Sequence, residues 1–380
     1  MTRKDCCVCD KKGANKNIYS LKNIPIKLTC SEVPFGEMSS ISFSMCDYCN
    51  TIQLDQLIPL EKLYFESHNY VSVGNIWKNY FNLFVNRAEP IVENKTVLEV
   101  GCPSGKIALK MNNYKKWFIV EPNKNESICF NEKVCFIEKF FDETLHLEEK
   151  VDVIIHSHLF EHIYEPNLFL RKCHELLNDD GEMFFGLPNM EVFEKTNLTP
   201  FFGLFFEHTV FLNKENIVYL LQKNRFSVID IIDYESHSTL FHCKKSVEPL
   251  CFHIEHCIEN KKESFLYNVN SFETFVRKCN TIISKRNKDV YIFGASYNTQ
   301  FLLSFGLDSH RIKGILDNCK EKQGKYLYGY DIQIFDPTIL SNNQDENDCN
   351  HSIVILKNGC YVDDVLHQII SINSNVEVIM

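Results

Sequence analysis

Residues 96–122, TVLEVGCPSGKIALKMNNYKKWFIVEP, constrain the fold of this chain more than any other stretch. An apolar run is followed by two loop glycines, Gly101 and Gly105, and a second apolar run ends at Glu121. Strand, glycine loop, helix, strand and acid form the first half of a nucleotide-binding βαβ unit. The pattern therefore predicts an open α/β sheet, with a helix that begins near Lys106.

The glycines and the acids have separate tasks in such a unit. A glycine lets the backbone approach a ligand closely because it has no Cβ. Glu121 follows Gly101 by 20 residues, the spacing at which a carboxylate accepts both hydroxyls of a ribose. A second acid, Glu99, stands just before the loop and would repel a pyrophosphate, and the loop lacks the G-x-G-x-x-G of dinucleotide enzymes. These residues favour a cationic nucleoside, and S-adenosylmethionine, with its ammonium and sulfonium groups, fits.

This stretch resembles the first motif of the class I methyltransferases, which reads roughly V-L-E-x-G-x-G-x-G. Pro103 stands where the middle glycine is usual, so the loop is stiffer and lacks one amide donor. The resemblance continues through the E-H, E-P-N-L-F-L and P-N elements that follow the fourth strand. It predicts strands at 151–155 and 182–187, a turn at Asp180-Gly181 and a helix at 165–177. The alternative on the glycine loop alone is an unrelated α/β loop.

The predicted cofactor site extends beyond the glycine loop. The third strand ends near Ile137, and residues 138–141 lie where adenine sits in this fold, with Phe140 or Phe141 as an apolar cover. His156, in the fourth strand, is assigned to the same site. The predicted contacts of S-adenosylmethionine are Glu99, Gly101, Gly105, Glu121, Phe140 and His156.

Two C-x2-C pairs near the N-terminus form a second constellation. Cys6 and Cys9 make the first pair, and Cys46 and Cys49 make the second. Four thiolates on two such turns can surround a structural zinc ion as a tetrahedron, with no open position for chemistry. Zinc is favoured over four unpaired buried cysteines because so small a segment can hardly build a core without a metal.

The composition is that of a globular protein of two or three domains, with 380 residues, 44% hydrophobic and 24% charged. The net charge of −10, without a basic run, counts against nucleic acid and anionic membranes as partners. We find no signal peptide and no apolar stretch of about 18 residues, so we expect a cytoplasmic protein without membrane insertion. The 17 cysteines then indicate free thiols and a metal site, which Cys7 or Cys30 could join.

The patterns divide the chain into three parts. Residues 1–62 form the zinc-binding module, 63–245 the methyltransferase domain, and 246–380 a spacer helix followed by a smaller Rossmann-like unit. This last unit has Gly294 but no glycine cluster, so no dinucleotide is assigned to it. The predicted fold class is α/β, with a class I methyltransferase sheet between the two flanking units.

Two of the 14 histidines are predicted at the carboxyl edge of the central sheet, where open α/β sheets bind ligands. His162 follows the fourth strand, and the pair Glu207 and His208 lies in an apolar loop beyond the fifth. An acid-histidine pair in such surroundings has pKa values set by burial and mutual charge, which suits proton abstraction near neutral pH. The alternative is a histidine that caps a helix or satisfies a buried carbonyl group.

The whole chain resembles the sugar C-methyltransferases that act on nucleotide-linked 4-keto-sugars. In that family a Tyr-x-Glu-His element supplies the catalytic groups. Glu207 and His208 match its acid and histidine, and His162 matches a second family histidine. Phe205 stands in place of the tyrosine, which removes a donor for an enolate. The resemblance implies a nucleotide-sugar or glycan substrate gripped by the zinc module and the tail, and we further expect a monomer or a weak homodimer.

Three alternatives stay open at this point. O- or N-methylation of a glycan sugar would use the same cofactor site. A zinc-and-Rossmann scaffold without catalysis is favoured by Pro103 and Phe205. Nucleic-acid methylation would suit the zinc knuckles, but the net charge of −10 counts against it.

Overall fold

The computed structural model describes residues 2–64, 75–124, 128–190, 205–248, 261–343, 352–357 and 361–380. The strands β1 to β17 are Asn15–Pro25, Cys30–Ser31, Met38–Cys46, Ile52–Leu54, Thr96–Val100, Lys116–Val120, Val134–Ile137, Val151–Ser157, Leu177–Pro188, Phe226–Tyr234, Ser238–Lys245, Val290–Phe293, Ile312–Leu316, Tyr326–Leu327, Ile334–Phe335, Ile353–Leu356 and Glu377–Ile379. The helices α1 to α7 are Leu60–Leu63, Asn75–Val92, Pro166–Leu176, Lys214–Lys223, Lys261–Ile283, Tyr297–Ser304 and Val362–Ile372. Short 3₁₀ helices span Ala108–Lys110, Phe160–His162, Ser309–Arg311 and Pro337–Asn343.

A seven-stranded sheet with the order β10-β11-β9-β8-β5-β6-β7 forms the centre of the molecule. Strands β5 to β9 pair in parallel, and β11 pairs antiparallel with both β9 and β10. The strand order reverses between β5 and β8, and in such sheets ligands bind at the carboxyl ends of the strands beside this point. The predicted class I methyltransferase fold is confirmed.

The crossover after the glycine loop is shorter than predicted. We expected a helix from Lys106, but the structure has only the 3₁₀ helix Ala108–Lys110 before β6. Strand β5 has 5 residues and spans about 16 Å. A helix rising 1.5 Å per residue needs about 10 residues to retrace that length. Residues 106–115 are all that separate the loop from β6, so none would be left for the turns.

The elements around the E-H motif follow the prediction with one difference. Helix α3 begins at Pro166, which suits the first turn of a helix because its missing N–H is not needed there. The predicted turn at Asp180-Gly181 lies inside the long strand β9. A register shift between Val151 and Val153 of the neighbouring strand β8 absorbs the additional residues.

Two smaller sheets flank the central one. Strands β1, β3 and β4 form the N-terminal sheet, and the parallel order β15-β13-β12-β16-β17 forms the tail. Strand β2 pairs with β14, and one apolar core contains Phe43 of the first sheet, Ile292 of the second and Phe205 of the loop before α4. The N-terminal module and the tail therefore share a core, although they are far apart in sequence. The predicted boundaries at 62/63 and 245/246 stay predictions.

None of the helices in the described segments combines the length and the apolar character that crossing a membrane requires.

Candidate functional site

Glu99 lies at the end of β5 beneath the glycine loop and is 0% exposed. Its Oε2 accepts hydrogen bonds from Nε1 of Trp117 at 2.9 Å and from the backbone N of Ala108 at 3.2 Å. Its Oε1 is buried and has no partner of hydrogen-bond geometry within the described residues, although the nearby thiol of Cys102 acts to lower the pKa of the carboxyl. Burial raises the pKa of Glu99 to about 7. Such an unpaired oxygen costs about 1–3 kcal/mol, and it fits a site for the ammonium group of S-adenosylmethionine.

The loop glycines adopt backbone conformations that other residues rarely adopt. Gly101 has φ +76° and Gly105 has φ +52°, both in the left-handed region. A Cβ on Gly101 would lie 2.7 Å from Cδ1 of Leu159, and one on Gly105 would collide with the ring of Phe130. Glycine is therefore required here by the backbone and by the side chains bordering the loop. That a cofactor approaches these glycines stays a prediction.

Glu121 follows β6 and lies on the same face of the sheet as Glu99. The register pairs Glu99 with Ile119, and side chains alternate along a strand, so Glu121 comes next on that face. Its Oε1 accepts a hydrogen bond from the backbone N of Asn123 at 2.8 Å, and burial raises its pKa to about 6. The two acids thus flank the glycine loop from neighbouring strands on one side of the sheet.

The two aromatic positions assigned to the cofactor differ in exposure. Phe140 is 37% exposed beyond the end of β7, where it can still cover a ligand. His156 is 0% exposed, its ring stacks on Phe160 and Phe185, and neither ring nitrogen has a hydrogen-bond partner in the described part of the chain. The structure therefore does not support the predicted cofactor contact of His156, because alternation along β8 directs this side chain into an aromatic core.

His162 and His208 lie side by side at the carboxyl edge of the sheet. Their Nε2 atoms are 3.2 Å apart, and their rings meet edge to face at 83°. His162 ends the 3₁₀ helix after β8, and His208 closes a turn in which the backbone N of Phe205 donates to its carbonyl oxygen. Nδ1 of His162 lies 2.8 Å from the hydroxyl of Tyr64, which burial keeps protonated by raising its pKa. The fold therefore brings together three segments that are distant in sequence. Tyr64 contacts His162, and His162 contacts His208.

The surroundings of His208 keep its ring neutral. Burial lowers its pKa well below the ordinary value, with the neighbouring histidines acting in the same direction. Phe205 covers one face of the ring, with centroids 4.2 Å apart, and Tyr297 of the tail stacks on Phe205. Nδ1 of His208 is buried and has no hydrogen-bond partner among the described residues.

The contacts of His162 with Tyr64 and His208 are compatible with two tautomer pairs of the neutral rings, and in one of them Nδ1 of His208 is free of a proton. A neutral imidazole carries one N–H and one acceptor nitrogen. If Nε2–H of His208 donates to Nε2 of His162, then Nδ1–H of His162 donates to the hydroxyl of Tyr64. This assignment leaves a lone pair on Nδ1 of His208, which is the nitrogen without a partner. That lone pair can accept a proton.

The acids beside the histidine pair are arranged differently from the prediction. Glu207 is buried but does not orient His208 through Nδ1, since that nitrogen has no partner. Glu161 is 1% exposed, and one of its carboxylate oxygens lies within 4.8 Å of a ring nitrogen of each histidine. Burial raises the pKa of Glu161 to about 8. Sequence reasoning treated Glu161 only as the neighbour of His162 and missed Tyr64, which no motif marks.

The four predicted zinc ligands converge on one point. Sγ of Cys6 lies 3.5 Å from Sγ of Cys49, and Sγ of Cys9 lies 3.7 Å from Sγ of Cys46. All four sulfur atoms lie within 4.8 Å of one another. A tetrahedron with Zn–S bonds of about 2.3 Å has S···S edges of about 3.8 Å, so the cluster has the dimensions of a zinc site.

The two cysteine pairs lie on turns of the same geometry. The backbone N of Asp10 donates to the carbonyl of Cys6, and that of Asn50 donates to the carbonyl of Cys46, both at 2.9 Å. Asp10 and Asn50 have φ values of 59° and 54°, which close each turn after its second cysteine. Cys7 and Cys30 lie outside the cluster of four sulfurs.

Comparisons with known proteins agree with this fold. The family model described as "Methyltransferase domain" matches residues 78–231, and the one described as "C-methyltransferase C-terminal domain" matches residues 254–350. No curated protein matches the chain in sequence. The chain therefore contains a methyltransferase domain, and its central sheet has the class I fold. More particularly, it carries the C-terminal domain of the C-methyltransferases, so the interpretation as a non-catalytic scaffold is not retained.

Solved methyltransferase structures match the chain at low identity. The 1,6-didemethyltoxoflavin-N1-methyltransferase of Burkholderia thailandensis is 14% identical, with 54% of this chain and 96% of that chain covered and a TM-score of 0.37. The N-methyltransferase NodS of Bradyrhizobium japonicum WM9 is 9% identical, with 46% and 98% covered and a TM-score of 0.35. A methyltransferase of Mesorhizobium loti is 9% identical, with 46% and 99% covered and a TM-score of 0.36. At such TM-scores these likenesses carry no argument about this chain.

Proposed function

We propose that this enzyme methylates a sugar, and that the acceptor is a carbon next to the keto group of a nucleotide-linked sugar. The observation that carries the proposal is Nδ1 of His208, a buried nitrogen without a partner beside the carboxyl edge of the sheet. A carbon acceptor becomes nucleophilic only after it loses a proton, so C-methylation requires a base at this edge. The match to a C-methyltransferase C-terminal domain supports the same choice.

The residues around the glycine loop are proposed to hold the cofactor. Oε1 of Glu99 faces the ammonium group of the cofactor. Glu121 accepts hydrogen bonds from the ribose hydroxyls, and Phe140 covers the adenine. Gly101 and Gly105 border the methionine part. S-adenosylmethionine, when bound, supplies a methyl group on a positively charged sulfur. The unpaired oxygen of Glu99 gains a partner in the ammonium, and a hydrogen bond to a charged group contributes about 1.5–3 kcal/mol.

The base is proposed to act as follows. His208 accepts the proton on Nδ1 and becomes an imidazolium, while its Nε2–H stays bound to His162. Glu207, the buried acid that directly precedes His208, stabilises that positive charge. Phe205 and Tyr297 exclude water from one side of the ring. Because Phe205 has no hydroxyl for the enolate, much of the acceleration would come from holding the reactants at contact distance.

The remaining assignments belong to the same proposal. A structural zinc ion is held by the four cysteines of the N-terminal cluster, and the modules end near residues 62 and 245. The zinc module and the tail grip the nucleotide of the substrate. The enzyme acts in the cytoplasm as a monomer or a weak homodimer, with no nucleic-acid partner.

The test is mass spectrometry of products from a panel of nucleotide sugars incubated with S-adenosylmethionine. We expect one added methyl group, on carbon, with a 4-keto-sugar and none with its 4-hydroxy relative. Glu207→Gln and His208→Asn should lose turnover while retaining cofactor binding. His174→Asn is the matched control, since His174 lies on α3 and its ring contacts the carbonyl of Ser246.

O- or N-methylation of a glycan sugar is the second candidate, and the missing hydroxyl at Phe205 favours it. A hydroxyl acceptor forms an alkoxide when it loses its proton and needs no enolate donor. Methylation of the 4-hydroxy sugar, with the label on oxygen, would establish this candidate in place of the first.

A further inference from the structure

Arg3 is a cation of the N-terminal module that is only 7% exposed. Its backbone N donates to the carbonyl of Asp55 at 2.7 Å, which anchors it to the end of the module's sheet. Its guanidinium leaves that module and enters the methyltransferase domain. Nη2 donates to the carbonyl of Tyr164, and Nη1 donates to the carbonyl of Thr209 at 3.2 Å.

These two carbonyls belong to the two segments that carry the histidine pair. Thr209 directly follows His208, and Tyr164 follows His162 by two positions. The segments lie beyond β8 and beyond β9, so nothing in local sequence sets their separation. A guanidinium is planar, and its donors have a fixed spacing. One group that binds both carbonyls therefore sets the distance between the segments.

The His208 segment has a second tie to the N-terminal module. The backbone N of Leu54 in β4 donates to the carbonyl of Thr209 at 2.9 Å, and the backbone N of Phe211 donates to the carbonyl of Ile52 at 2.8 Å. These two bonds form an isolated antiparallel bridge between Gln53 and Val210, which ties the residues after His208 to the module. Arg3 connects this assembly to the segment of His162.

We propose that Arg3 is a positioning residue for the His162–His208 pair. Its guanidinium keeps the two Nε2 atoms at hydrogen-bond distance, and through this group the cysteine-bearing module acts on the base. The consequence for turnover rests on the proposed function. The contact between the rings exists in the resting protein and can be measured there.

The control for Arg3 is Lys223, a second cation that ties the same module to the methyltransferase domain. Its Nζ donates to the carbonyl of Val8 at 3.0 Å and pairs with Asp10 at 2.7 Å. Neither of these two contacts involves the segment of His162 or the segment of His208. Lys223→Met therefore removes one charge and one inter-module tie while leaving the bridge between the segments intact.

The first measurement is ¹⁵N NMR of the histidine side chains in the full-length, zinc-loaded protein, with His162→Asn and His208→Asn used to assign the two rings. We expect the wild type and Lys223→Met to show the same neutral tautomers. In Arg3→Met the pair should lose its mutual hydrogen bond, and the pKa of His208 should move up toward the ordinary value of 6.5. Unchanged spectra for both rings in Arg3→Met would overturn the proposal.

The second measurement is turnover at saturating cofactor. A displacement of about 1 Å can cost on the order of 100-fold in rate, so we expect kcat to fall about 10- to 100-fold in Arg3→Met, with KM for S-adenosylmethionine unchanged. The kcat of Arg3→Lys should lie between those of wild type and Arg3→Met, because a single ammonium cannot bridge both carbonyls with the same geometry. Zinc content and thermal unfolding check the fold, and Arg3→Lys decides the question if Arg3→Met does not fold. Full turnover of His208→Asn would refute the proposed base, whereas the NMR comparison would still decide the role of Arg3.

Discussion

Glu99→Gln tests the burial of the acid beneath the glycine loop. The pKa of this carboxyl is raised from 4.5 to about 7 by burial. The folded protein therefore binds more protons than the unfolded chain between these two pH values, so its stability falls as pH rises through that window. One pKa unit corresponds to about 1.4 kcal/mol. The shift then amounts to a loss of about 3 kcal/mol in the free energy of unfolding between pH 4.5 and pH 7.

Glutamine has no charge, so Glu99→Gln should remove this pH-dependent loss. Its amide nitrogen would be buried without a partner, which adds an offset of about 1–3 kcal/mol that does not change with pH. The assay is urea unfolding of the cofactor-free protein from pH 4.5 to 7.5, followed by the fluorescence of the two tryptophans, of which Trp117 contacts Glu99. We expect the stability of the variant relative to wild type to rise with pH by about 3 kcal/mol.

The same variant separates stability from binding. Because Oε1 of Glu99 is proposed to face an ammonium group, Glu99→Gln should weaken S-adenosylmethionine binding by about 10- to 100-fold in calorimetry, the equivalent of about 1.5–3 kcal/mol. A stability difference between variant and wild type that stays constant over this pH range would refute the reasoning on burial. Unchanged cofactor affinity would refute the assignment of the ammonium site.

Three further predictions concern the aromatic core, the catalytic turn and the cysteine cluster. His156→Phe should raise the free energy of unfolding by about 1 kcal/mol in urea titrations, because both ring nitrogens of His156 lack partners in the described structure, and a weaker affinity for cofactor would instead return His156 to the site. Phe205→Tyr should raise kcat for a 4-keto-sugar and leave kcat for a hydroxyl acceptor unchanged, because only the keto-sugar forms an enolate that needs a hydrogen-bond donor. Equal effects on the two acceptors would contradict this prediction. The purified protein should contain one zinc ion per chain, and Cys49→Ser should lose it together with turnover, because β4 adjoins both the cluster and the residues after His208. A second tightly bound ion that disappears in His162→Asn would contradict the role of His208 as a base.

The sequence patterns correctly predicted the parts of the fold that are determined by residues close together in the chain. The apolar run before the glycine loop forms β5 at Thr96–Val100, and Pro166 begins α3 as a proline at a helix start should. The ligand spacing of the two cysteine pairs identified all four sulfurs of the cluster. In each case the residues that determine the structure are close in sequence or repeat one local turn.

The predictions that failed depended on the length of the crossover after the glycine loop and on the face of β8 to which His156 points. The βαβ pattern predicts a helix after the glycine loop, but the crossover is too short to hold one alongside β5. His156 lies near the carboxyl end of β8, but its side chain points to the buried face of that strand. Its neighbours Phe160 and Phe185 come from a turn and from β9, so local sequence could not indicate its burial.

The residues that sequence reasoning missed act across long distances. Tyr64 lies 98 positions from His162, and Arg3 lies 206 positions from Thr209. Each makes hydrogen bonds that only the assembled modules create. The contact between His162 and His208 is of the same kind, since the two were predicted separately and the fold brings their rings together.

Proton exchange at the acceptor carbon tests the central claim most directly, because it observes the base without methyl transfer. A 4-keto nucleotide sugar would be incubated in D₂O with enzyme and S-adenosylhomocysteine and followed by NMR. We expect wild type and His174→Asn to exchange the proton next to the ketone, and His208→Asn to exchange it no faster than buffer. Absence of exchange by wild type on every 4-keto-sugar that it binds, or undiminished exchange by His208→Asn, would contradict the account.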